Sequence, residues 1–317
     1  MDDPQWPRAS AWLARGGEPP EIGEVPDPAP LLAVLGLPLS QASISPSAAH
    51  TTPAAIRAAL ARFSTLAALP GGSTVELDSV RVRDLGDLDL VGLDNDDAQD
   101  LVAAGVAEVW GPALDRAPDL VVLLGGDNAV TRPAMDAIVG DLSDGGLLTL
   151  DAHHDVRGFH AGRTNGTPVR GLLEDGLPGR NVVQIGLGTF TNAPDYRRYC
   201  DAQGITVVTA TEARREGVGA CVARHLDALA SRCRQIYVDL DVDVLDAVYA
   251  PGCPGARPGG LAAWELHDAA LEVGRHPGVV AVDIVEVDAG ADPTGVTVDT
   301  AALCLLSVAA GLALRPR

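Results

Sequence analysis

Short runs rich in valine, leucine and isoleucine recur along the chain, at "LDLVGLD", "DLVVLLGGD", "GLLTLDA", "NVVQIGLG", "GITVVTA", "RQIYVDLDVDV" and "GVVAVDIVEVD". They are apolar at consecutive positions, as strands buried on both faces are. Between several of them lie "RPAMDAIVGDL", "VGACVARHLDALASRC" and "AWELHDAALEVGRH", whose apolar residues fall three and four apart and predict helices. This alternation predicts an α/β fold, a mainly parallel sheet covered by helices on both sides, with sites beyond the carboxyl ends of its strands. The stretch "HTTPAAIRAALARFSTLAAL", with a threonine cap and a proline at its start, predicts a helix ending at Pro70-Gly71-Gly72. Residues 1–45 lack clean periodicity and are expected to be irregular, with one short helix at "APLLAVLGL". The C-terminal "TAALCLLSVAAGLAL" reads as an apolar helix, too short and too interrupted to be identified as a membrane span. With no boundary and no fixed-period repeat, residues 1–317 are expected to form a single domain.

Composition narrows the chemistry. The formal charge of -20 disfavours nucleic acid and anionic membrane as partners, because both are held by basic groups. Cys200, Cys221, Cys233, Cys253 and Cys304 lack the paired spacing of zinc or redox motifs and read as reduced thiols, Cys253 among them as packing. The N-terminus lacks the features of a secretory signal, so a cytoplasmic protein is expected. There is no lysine, which excludes a lysine Schiff base and a phosphate-binding loop ending in Gly-Lys-Ser/Thr. Carboxylates, histidines, arginines or metal must do the work.

The carboxylates collect at strand ends: Asp127 with Asn128, then Asp151, His153 and Asp155 in "DAHHD", then Asp239, Asp241 and Asp243, then Asp283, Glu286 and Asp288. Acids at neighbouring strand ends repel unless protonated, hydrogen-bonded or bridged by cations. If "TLDAHHD" stays extended, Asp151, His153 and Asp155 face one side and His154 the other. Mixed carboxylate and imidazole ligands suit manganese, zinc or iron. Periodicity alone does not say which two of Asp239, Asp241 and Asp243 would bind metal. Asp246 reads as a turn-fixing residue.

The ordered motifs "GGDNAVT", "DAHHD", "DVDVLDAVYAPGCPGARPGGL" and "DIVEVD" resemble those of the arginase, agmatinase and formimidoylglutamase family, the ureohydrolases, over roughly residues 119–300. The resemblance implies a three-layer α/β/α fold and two manganese ions. By position, it makes Asp151 and Asp241 the shared ligands, His153 and Asp243 the completion of one site, and Asp155 with Asn128 that of the other. Asp239 falls where the family usually has serine. Asn128 stands where arginases have a histidine, so weaker binding of that metal is expected, and Asn165 replaces their proton-shuttling histidine.

The segments "NGTPVRGLLEDG", "VVQIGLGTFTNAPDYRRYC" and "APGCP" look like the formimidoylglutamase branch. That resemblance implies hydrolysis of N-formimidoyl-L-glutamate to L-glutamate and formamide, a step of histidine degradation. Asp155 would orient the attacking hydroxide, Glu286 would hold the formimino nitrogen, and His154 is a candidate proton relay. Arg157 and Arg170 would receive the substrate carboxylates, with Asn165 as a further polar contact, since arginine suits bidentate carboxylate recognition. Two alternatives stay open: an agmatinase or guanidino-acid ureohydrolase that releases urea, and a metal-poor noncatalytic ligand-binding member. Assembly into a homo-oligomer also stays open.

Overall fold

The computed structural model describes residues 3, 5–15, 29–110, 114 and 116–316. In chain order its strands are β1 (Leu31–Gly36), β2 (Leu66–Ala68), β3 (Thr74–Glu76), β4 (Arg81–Asp87), β5 (Leu120–Leu124), β6 (Gly145–Leu150), β7 (Val182–Leu187), β8 (Thr206–Thr209), β9 (Gln235–Asp241) and β10 (Val279–Val285). β2 and β3 pair as an antiparallel hairpin. The other eight form one parallel sheet in the order β4-β1-β5-β10-β9-β6-β7-β8.

Because successive strand side chains point to opposite faces, the sheet feeds two cores. On one face, Leu32, Val34, Leu120, Val122 and Leu124 join α1 (Ala9–Ala14), α2 (Thr52–Ala59), α7 (Ala210–Glu216), α8 (Val218–Ala230), α9 (Ala263–Arg275) and α10 (Val296–Ala313). On the other, Ala33, Leu35, Val121 and Leu123 join α3 (Asn95–Trp110), α4 (Thr131–Val139), α5 (Pro168–Glu174) and α6 (Pro194–Gln203). The three-layer parallel α/β arrangement expected from the sequence is the one observed.

Four local expectations are corrected. "LLAVLG" is a strand, not a helix: β1 is buried at all six positions and pairs with β4 and β5. A six-residue apolar run carries no periodicity that separates the two. The helix expected to reach Pro70 stops at Ala59, and Phe63 turns extended before the β2–β3 hairpin. Its turn uses Gly71 and Gly72 at φ 76° and 80°, which a side chain rarely tolerates. "LDLVGLD" is a turn following β4, and its Val91 is 91% exposed. Finally, α10 has 18 residues of mean hydropathy 1.8, enough by length and composition for a membrane span. Of that span 72% is buried inside the protein, as in a core helix.

The chain leaves the sheet centre after β5 and builds outward through β6, β7 and β8. It then returns to lay β9 and β10 in the gap. The carboxyl ends of β5, β10, β9 and β6 thus stand side by side where the order of strands reverses, the place where open α/β sheets form their sites.

Candidate metal centre and substrate cavity

Each of those four strand ends delivers polar groups to one spot. After β5, Gly125 and Gly126 let the backbone pass closely: a Cβ on Gly126 would collide with the Leu39 carbonyl, and Asp127 N–H donates to that carbonyl at 2.8 Å. The buried Asp127 carboxylate accepts from Ala42 N–H and Ser43 Oγ–H, tying the loop after β1 to the site. Burial pushes its pKa up to about 6.

β6 ends at Leu150, so "DAHHD" is irregular rather than extended. Its residues still diverge as strand alternation predicts. His153 Nδ1 lies 2.6 Å from Asp243 Oδ2 and 3.5 Å from Asp151 Oδ1, and Asp155 takes a left-handed φ of 51°. Glu286, after β10, is also left-handed at 68°. Non-glycine residues in this region cost about 1–3 kcal/mol each and concentrate at functional sites. After β9, Asp241 accepts from Asp243 N–H at 2.7 Å in a short turn, and Asp243 accepts from Ala152 N–H at 3.0 Å. A Cβ on Gly255 would collide with the Asp243 carboxylate.

The ligand atoms of Asp151, His153 and Asp243 all lie within 4.8 Å of one another. Burial, then repulsion from Asp243, holds the carboxyls of Asp151 and Asp241 well above their ordinary range. Burial also pushes Asp155 up to about 7. In His153 burial opposes the charge, but Asp243 and Asp151 outweigh burial and push its pKa up to about 12. So many buried acids around one imidazole create a demand for positive charge that oxygen-and-nitrogen-ligated divalent cations meet. The donor set fits such ions.

Asn128 is buried beside this cluster. Its N–H donates to Glu286 Oε1 at 2.8 Å, its side-chain Nδ2 donates to Asp155 Oδ2 at 2.7 Å, and its Oδ1 lies 2.7 Å from Thr131 Oγ. Glu286 Oε1 also accepts from Asn165 Nδ2 at 2.9 Å. Burial and the nearby Asp127 push Glu286 up to about 8. Beneath the cluster, Asp239 and Asp283 face each other across β9 and β10, and Asp283 Oδ2 accepts from Tyr237 and Thr131 hydroxyls. Asp239 therefore supports the floor rather than lining the cavity.

Above the floor opens a cavity of about 180 Å³, lined by His153, Asp155, Arg157, Asn165, Asp241, Asp243 and Glu286. Asp151 and Asn128 are buried in the adjoining cluster without lining the cavity, and two further expected residues lie elsewhere. His154 is buried facing Gln184, its Nδ1 2.7 Å from Gln184 Oε1, and burial lowers its pKa. Its side chain does not line the cavity, so it is not placed to relay a proton there. Arg170 also falls outside, paired with Glu174 at 2.9 Å and stacked on Tyr199. Sequence reasoning missed six lining residues with polar side chains: Ser45, Ser47, Thr191, Asn192, Tyr196 and Arg257. Only Arg257, a cation in a Gly/Pro loop with no acid three or four residues away, carried a signal that could have been noticed.

Residues 31–311 match the Arginase family. The chain belongs to the arginase family. Among its relatives in that family, a formimidoylglutamase of Bacillus subtilis (strain 168) is 35% identical over 289 residues, 90% of this chain and 88% of the relative. The crystal structure of formimidoylglutamase from Bacillus subtilis superposes with a TM-score of 0.87 at 31% identity, covering 100% of this chain and 95% of that one. A Trypanosoma cruzi formiminoglutamase with Mn2+2 shares the arginase-family fold at a TM-score of 0.81 and 22% identity, covering 98% of this chain and 100% of that one.

Proposed function

We propose that this arginase-family protein is a manganese-dependent formimidoylglutamase, hydrolysing N-formimidoyl-L-glutamate to L-glutamate and formamide. The observation that carries the reading is one cavity that sets a carboxylate–imidazole floor and Glu286 against arginine side chains at its rim. The kinship to formimidoylglutamases over nine-tenths of the chain supports it. Asp151 and Asp241 would be shared by two ions, His153 and Asp243 would complete one site, and Asp155 and Asn128 the other. When bound, the ions supply Lewis acidity that brings the pKa of water toward neutrality.

The chain's own groups do the rest. Asp155, strained toward the cavity, accepts a hydrogen bond from the attacking water and fixes its direction. Glu286 accepts from the protonated formimino nitrogen, and Asn165 and the Asn128 N–H hold its carboxylate in place. With Asn165 unable to act as an acid and His154 outside the cavity, the leaving nitrogen takes its proton from Asp155 or from solvent admitted to the cavity.

Thr131 offers a way for an asparagine to serve as a ligand. Its hydroxyl has one proton but faces two acceptors, Asn128 Oδ1 at 2.7 Å and Asp283 Oδ2 at 2.8 Å. The buried carboxylate makes the stronger acceptor; with Thr131 donating to it, an Asn128 amide turned over so that Nδ2 donates to Thr131 Oγ would present Oδ1, in place of Nδ2, to a cation beside Asp155.

The same reading takes residues 1–317 as one cytoplasmic domain acting on a small molecule, alone or as a homo-oligomer. The test is product identity. Purified protein supplied with manganese should release formamide from N-formimidoyl-L-glutamate; urea from agmatine or a guanidino acid, without formamide, would replace the substrate assignment.

A further inference from the structure

Two arginines line the cavity, and they arrive from opposite layers of the fold. Arg157 follows Val156, which packs in the core under α3–α6, and its guanidinium lies 5.9 Å from the Tyr196 ring centre. Arg257 follows Ala256, which packs with Cys253 and Leu261 in the core under α8–α10. Among the described residues, neither is held in an ion pair, whereas Arg132, Arg163, Arg170 and Arg224 each bind a carboxylate. In a chain with 43 acidic side chains and 23 arginines, two guanidiniums that face one cavity without such a pair are free to take a bound anion.

Arg257 is also held in position. Its Nη1 donates to the Pro254 and Ala256 carbonyls, each at 2.8 Å. Asp246 pins the same loop by accepting from Gly259 N–H at 2.7 Å, and Ala247 N–H donates to the Arg257 carbonyl at 3.3 Å. That leaves the Nε–Nη2 edge, the fork that matches a carboxylate, without a protein acceptor among the described residues.

We propose that Arg257 binds the side-chain carboxylate of N-formimidoyl-L-glutamate while Arg157 binds its α-carboxylate, an assignment that rests on the formimidoylglutamase reading. The α-carboxylate is one carbon from the reacting nitrogen, so it stays near the floor. Arg157 is two residues from Asp155 and lines the same cavity, which places it beside that end. The second carboxylate lies two methylenes further along and needs a cation on the other wall. Arg257 thereby measures the length and charge of the substrate side chain.

The experiment compares N-formimidoyl-L-glutamate with N-formimidoyl-L-glutamine, its uncharged isostere. A charge-assisted hydrogen bond lost on one substrate only predicts that Arg257→Met raises KM for the glutamate by about 10- to 100-fold, but for the glutamine by less than about threefold. Arg157→Met should raise both alike, and Arg257→Lys should keep part of the discrimination. Calorimetric dissociation constants for N-formyl-L-glutamate and N-formyl-L-glutamine should shift in the same pattern. The ratio between two ligands does not depend on the folded fraction, so partial unfolding of a variant does not mimic the effect. Equal shifts for both ligands in Arg257→Met, or no shift in either, overturn the assignment. The underlying reading fails differently: wild-type protein that releases no formamide from N-formimidoyl-L-glutamate removes the function, and this assignment with it, before any variant is made.

Discussion

The floor and the rim of the cavity are built on opposite principles. The floor groups Asp151, Asp241 and Asp243 are buried and packed so tightly that their charges conflict. The rim groups Arg157 and Arg257 are exposed and, among the described residues, have no charged partner of their own. On the floor, electrostatic conflict creates affinity for a cation; on the rim, unmet cationic charge creates affinity for an anion. The difference separates reactivity from selectivity, and each can be broken without the other.

The largest effect should come from the floor. Asp241→Asn should cost on the order of 10²–10³-fold in kcat/KM, as loss of a group that stabilises charge in a reaction centre does. Metal analysis after dialysis should show lost manganese; full retention of both ions would remove Asp241 from the ligand set. One layer down, Thr131→Val should weaken manganese binding by about 10- to 100-fold, the usual cost of losing an outer partner of a ligand, while Thr131→Ser keeps it. Equal affinity in Thr131→Val and wild type, read by titration with manganese, would break the link from Asp283 to Asn128.

The floor also predicts a pH signature. Burial is the main cause that lifts Asp127 and Asp283 to about 6, Asp155 to about 7 and Glu286 to about 8. A raised carboxyl pKa favours the fold while the proton is bound; that contribution is complete below the unfolded value of about 4 and is lost as pH climbs through the folded value. Metal-free protein should therefore melt at a lower temperature near pH 8.5 than near pH 6, and manganese should raise Tm more at the higher pH, because metal needs ionised ligands. A metal-free Tm that climbs across this range would contradict the crowding described for the floor. The smallest effect should be at Arg170: Arg170→Ala should change KM by less than about threefold, since an exposed ion pair contributes about 0–1 kcal/mol. A loss as large as that of Arg157→Met would return Arg170 to the rim.

The same contrast governs what the sequence made legible. Floor residues sit at the ends of regular strands, where chain position fixes spatial position, so ordered motifs revealed Asp151, His153, Asp155, Asp241, Asp243 and Glu286 together. Rim residues sit on irregular loops whose paths depend on long-range ties, such as Asp127 to Ala42 or Asp246 to Gly259, and Ser45, Asn192 and Arg257 gave no periodic signal. Arg170 misled for the converse reason. It lies one helical turn before Glu174, and this local pairing draws the guanidinium away from the cavity. For β1 the apolar run fixed burial but not conformation, which only pairing with β4 and β5 decides.

Gly255 joins the two regions, since any side chain there would run into Asp243. This contact limits how the protein can evolve. A lineage drifting toward a new substrate can vary Arg257 at little risk, but two positions away almost every change would first disarm the reaction. Substrate preference in this loop should therefore diverge by replacement at Arg257 around an immobile Gly255, a pattern that saturation mutagenesis across residues 254–258 would display directly.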